Sequence, residues 1–222
     1  MKSGEGERLE IQLVPIDEST EHLLVQSHAA LISASMFGHA AALLTLWGSR
    51  HHRLAGRVAA ASGAIALLLI LPLARMSPIT WWTGCATLYL LARGLWWIRS
   101  APPRRSPWPF GLAVTAAAPP LLGWTATCGQ PGQAIGLALF SPPVAWLVYQ
   151  DARLDPDTSP PATRRVQHLT GMVGAMTLSW ENFLPRRLTP LHGVLPDLAV
   201  ALLPAATGLL LIVLLRRRAA AD

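Results

Sequence analysis

The chain has 222 residues, 52% hydrophobic and 14% charged, with mean hydropathy +0.38 and net charge +6. A soluble globular domain is roughly one quarter charged, so most of this chain is expected to turn away from water. Its positive charge is nearly all arginine, set in short clusters between apolar runs. That pattern orients membrane spans, and with no RNA- or DNA-reading motif it argues against a nucleic-acid partner.

In chain order, residues 1–22 are polar and acidic, without the basic-then-apolar order of a signal peptide. They are expected to form a short tail in which "LEIQLVPI" is strand-like or interfacial. Seven apolar segments follow, at about 23–47, 54–73, 78–98, 108–127, 132–149, 166–184 and 196–215. Each is long enough to span a bilayer, where a helix satisfies its own backbone. The sixth is the weakest, because it carries His168, Glu181 and Asn182. The expected fold is therefore all-α: a polytopic integral membrane bundle of about seven transmembrane helices over 23–215, with a basic C-terminal tail at 216–222.

Arginine clusters at 50/53/57, 99/104/105, 153/164/165 and 216–218 fall on one side of a seven-span chain. The positive-inside rule makes that side cytoplasmic, with the C-terminus there and the N-terminus outside the cell membrane. Trp81, Trp82, Trp96 and Trp97 flank the third segment and read as interfacial anchors. Arg93, near the cytoplasmic end of that segment, reads as a snorkelling side chain. The Pro-rich stretch 150–165 reads as a cytoplasmic loop. Cys85 and Cys128 form no CxxC and read as small hydrophobes; nothing in the sequence pairs them. The proline pairs 119–120 and 142–143 read as helix kinks. Gly171 and Ala175, with Gly56, Ala60 and Gly63, read as faces for close helix packing.

The chemistry-bearing residues gather in layers. His28 and His39 are eleven apart, so they share a helix face about 16 Å apart along the axis. An outer layer holds His28, Glu181, His192 and Asp197, and an inner layer holds His52 and His168. His39 lies between the layers without a partner at its depth, so His52 and His168 make the best-matched pair. No GxSxG, HExxH, P-loop, GxGxxG or aspartate-rich diphosphate motif is present.

Three stretches carry a resemblance: "HHRLAGR" (51–57), "QHLTGMVGA" (167–175) and "LPDLAVALLPAATG" (195–208). Their shared residues are His52, Arg53, Gly56 and Arg57; His168, Gly171, Met172 and Gly174; and Leu195, Pro196, Pro204 and Gly208. Over about residues 25–215 the chain resembles an uncharacterised family of bacterial predicted membrane proteins. The resemblance implies a helical membrane bundle and little chemistry. The stretch "LSWENF" departs from the pattern, which makes Glu181 a feature of this chain.

Three functions remain open. The favoured one is a haem or transition-metal redox site lined by His39, His52 and His168, since imidazole is the commonest metal ligand. The second is a membrane-embedded acid–base enzyme, an isomerase or cyclase, acting on a lipid-soluble or isoprenoid substrate through Glu181, with Asp197 and His28 orienting it. The third is a non-catalytic accessory or transport component whose polar side chains bond between helices.

Overall fold

In the computed structural model the described residues are 17–45, 48–70, 78–98, 106–128, 131–188, 203, 206–214 and 217. Side chains of residues 70, 78–79, 131–133 and 181–188 are outside that description. The described elements are helical: α1 (Glu18–Leu44), α2 (Arg50–Ile70), α3 (Pro78–Ile98), α4 (Trp108–Thr127), α5 (Pro131–Arg153) and α6 (Pro161–Leu188). A further helical stretch covers 206–214, and there is no strand among the described residues. The chain is thus an all-α bundle. Of the described helices, α1 is long and apolar enough by length and composition to cross a membrane. The expected strand-like piece lies outside the described residues.

Local chemistry sets the helix ends. Asp17 caps α1: its carboxylate accepts the Thr20 backbone N–H at 2.9 Å and the Thr20 hydroxyl at 2.6 Å. The helix therefore starts at Glu18, ahead of the apolar run at 23. Pro78, Pro131 and Pro161 open α3, α5 and α6, where a missing N–H costs no helical bond. The loop expected over 150–165 accordingly shrinks to the residues between Arg153 and Pro161, with Arg164 and Arg165 in the first turns of α6. The turn between α1 and α2 uses Gly48 at φ 72°, a conformation that favours glycine. Both proline pairs lie inside their helices, α4 and α5, which pack against each other.

Two tight pairs organise the bundle, α1 with α2 and α3 with α6, while α4 and α5 pack on α3 and α1 also touches α6. In the first pair the Ser35 hydroxyl donates to the Ala59 carbonyl at 2.8 Å. A β-carbon on Gly38 would meet Ala59 at 3.0 Å, and one on Gly63 would meet the Ser35 oxygen at 2.8 Å. Gly56, expected at this contact, has open space beside it. In the second pair Gly171 rests on α3: its β-carbon would lie 2.9 Å from the Gly94 Cα and the Leu90 carbonyl. This is the close approach expected of Gly171.

Three tryptophans expected at an interface are packed inside. Trp82, Trp96 and Trp97 are buried, and only Trp81 of the four is exposed. Trp82 donates to the Val114 carbonyl of α4 at 2.9 Å and Trp97 donates to Asp151 of α5 at 3.1 Å. A buried indole N–H needs an acceptor, and neighbouring helices supply one in both cases. Arg93 also departs from expectation. It does not snorkel; its side chain is wholly buried, 3.0 Å from Asp151. The facing helices offer it a carboxylate and an amide, so reaching for water is unnecessary.

Candidate functional site

The α1–α2 turn meets α6 at a small cavity of about 30 Å³ lined by His39, His52, His168, Leu43, Met172 and Met176 among others. The histidines come from three helices. His39 is on α1, one turn before its end. His52 is in the first turn of α2. His168 is in the third turn of α6. The matched pair read from the sequence is therefore joined by His39, which the antiparallel fold of α1 on α2 carries to the same level.

Each imidazole is anchored the same way. Nδ1 of His39 lies 2.8 Å from the Ser35 carbonyl, Nδ1 of His52 lies 2.9 Å from the Ala42 carbonyl, and Nδ1 of His168 lies 2.7 Å from the Gly94 carbonyl. A carbonyl oxygen only accepts, so each Nδ1 carries the proton. In the neutral ring the lone pair then sits on Nε2. Histidines that bind metals have this arrangement, one ring N–H fixed by a carbonyl and the other nitrogen presented to the ligand. His39 is 3% exposed, and its Nε2 is buried with no hydrogen-bond partner. An orphaned buried acceptor is costly, which marks this atom among the three rings.

The remaining expected residues lie elsewhere. His28 is half-buried and its Nδ1 donates to the Ala66 carbonyl of α2 at 2.8 Å, a bond within the α1–α2 pair. Glu181 is on α6, but its side chain is outside the described residues, as are Asp197 and His192. The structure thus brings together His39, His52 and His168 and joins His28 to none of them. Cys85 and Cys128 are both free thiols, Cys85 half-buried on α3 and Cys128 exposed at the end of α4.

Size and grouping limit what the cavity takes. A space of about 30 Å³ holds a water molecule or two, or a bare ion. Cofactor pockets run to roughly 300–1,000 Å³, so a porphyrin does not fit between these histidines as they are packed. Among the described residues no group of three or more His, Cys, Asp or Glu is placed to hold a metal ion. A closed tetrahedral site of such ligands is therefore not preformed. Two larger apolar cavities of about 240 and 250 Å³ flank helix 206–214, and the first shares Leu43 and Met176 with the histidine pocket.

A second polar centre was missed by the sequence reading. Tyr89, Arg93 and Trp97 stand four apart on one face of α3. The Tyr89 hydroxyl donates to Asp151 Oδ2 at 2.7 Å, Trp97 donates to Asp151 Oδ1, and Arg93 Nε faces Oδ1 at 3.0 Å without aligning as a hydrogen bond. The guanidinium also donates to the Gln167 backbone carbonyl at 2.8 Å and to the Gln167 side-chain oxygen. This network ties α3, α5 and α6 together one residue from His168. The i, i+4, i+8 recurrence of polar groups within an apolar segment was the signal available for it.

Comparison with family models, with curated proteins and with solved structures finds no match.

Proposed function

We propose that this chain is a multi-pass membrane protein that binds a transition-metal ion in the pocket of His39, His52 and His168. The observation that carries the reading is the buried, unpartnered Nε2 of His39 beside two further imidazoles whose Nδ1 atoms are likewise held by carbonyls. Such anchoring presents Nε2 lone pairs to a cation. The size of the cavity favours an ion over haem. The acid–base reading needs Glu181, whose side chain lies outside the described residues.

The membrane part of the proposal rests on buried ionisable side chains together with large apolar ones on the outside. Arg93, Asp151, His39, Gln167 and His168 are inside, while Phe37, Leu44, Leu68, Leu112 and Trp146 are exposed. Ionisable groups in a bilayer face the bundle interior, and lipid accepts the apolar exterior. In water an outer surface of that kind would drive association. In this reading the four arginine clusters and the C-terminus are cytoplasmic and the N-terminus is outside.

The test is elemental analysis and an absorption spectrum of the protein extracted in detergent. About one transition-metal ion per chain, no Soret band, and loss of the ion in His39→Ala are expected. A folded protein that takes up no metal when supplied with it would overturn the proposal.

A further inference from the structure

The lining of the pocket narrows the choice of ion. On α6, His168, Met172 and Met176 recur every four residues and form one stripe. The chain has five methionines, and two of them are buried on this wall. Among the described residues no carboxylate or cysteine lines the cavity. The cost of taking an ion out of water rises with the square of its charge, so a neutral lining inside the bundle favours a monovalent cation over a divalent one.

Ligand chemistry points the same way. Magnesium, calcium and manganese take oxygen ligands, which the lining does not offer. Structural zinc takes four ligands, and the described His, Cys, Asp and Glu side chains form no group of three or more placed to hold one. Copper(I) is monovalent, accepts two or three ligands, and is selected by soft thioether sulfur. The two methionines differ in what they touch. A β-carbon on Gly94 would fall 2.9 Å from the Met172 sulfur, so that sulfur is packed onto α3. Met176 lines both the histidine pocket and the neighbouring apolar cavity of about 240 Å³.

We propose that the ion is copper(I), held between Nε2 of His39 and the thioether sulfur of Met176. This rests on the metal-binding reading of the same pocket. The experiment titrates the purified full chain in detergent with copper(I) against a colorimetric copper(I) chelator under ascorbate, and separately with zinc(II). Met176→Leu keeps the size and apolar character of the side chain, and His22→Ala, at an exposed histidine, is the control. One equivalent of copper(I), no stoichiometric zinc, and affinity lowered about tenfold or more by Met176→Leu are expected. X-ray absorption should show a copper–sulfur shell that Met176→Leu removes. Zinc bound in place of copper, or copper unaffected by Met176→Leu but lost in His39→Ala, would overturn the copper–methionine site and leave the metal-binding reading standing. A folded protein that binds neither ion would overturn both.

Discussion

Asp151 is buried with its carboxylate shared between the Tyr89 hydroxyl, the Trp97 indole and the Arg93 guanidinium. Removing one partner of such a pair strands the other charge, at about 3–5 kcal/mol. Asp151→Asn is therefore expected to lower the unfolding free energy by roughly that amount, measured by thermal unfolding in detergent. Arg93→Met with Asp151→Leu should lose much less, because neither charge remains. A second residue acts at the surface. Asp17 accepts hydrogen bonds from Ser19 and Thr20, which hold its carboxyl well below the usual carboxylate range. A carboxyl depressed on folding stabilises the fold above its unfolded value and loses that contribution as pH falls. Amide exchange at Thr20 and Glu21 is expected to quicken in Asp17→Ala at neutral pH, with the difference from wild type shrinking as the pH is lowered below 4.

The α3–α6 contact depends on the absence of two β-carbons. Gly171 lies against the Gly94 backbone and the Leu90 carbonyl, which cannot rotate aside as a side chain would. Gly171→Ala is expected to separate the helices and destabilise the protein by about 1–3 kcal/mol, read as a lower Tm. It should also disturb the pocket, because His168 donates to the carbonyl of Gly94. Helices α3 and α4 were legible to the residue, since proline, tryptophan and an apolar run mark their ends. The others extend past their apolar runs: α1 begins early at the Asp17 cap, and α6 begins at Pro161. Capping and proline chemistry operate on polar residues that hydropathy passes over.

Among the described residues several ionisable side chains lie inside beside the apolar core, and many large apolar ones lie outside. The protein is therefore expected to stay with the bilayer through an alkaline carbonate wash and to need detergent for extraction. Recovery in the wash as a dispersed, folded chain would contradict the multi-pass reading. Polar contacts between helices also explain why a predominantly apolar bundle carries histidines. His28 bonds α1 to α2, whereas His39 leaves one nitrogen unused in a cavity shared by three helices. Of the two, His39 has the buried nitrogen without a hydrogen-bond partner, in a residue that lines the cavity.

Sequence by itself determined the all-helical character, the positions of most helices and the small residue at Gly171. These are local properties, carried by apolar run length, proline, glycine and residue type. Tertiary structure decided which helices pair, that His39 joins His52 and His168, that Arg93 meets Asp151, and that Trp82, Trp96 and Trp97 turn inward. Each of these depends on contacts between segments far apart in the chain. Spacing along one helix predicts a face, but only the packing of another helix decides whether that face meets lipid, water or a partner.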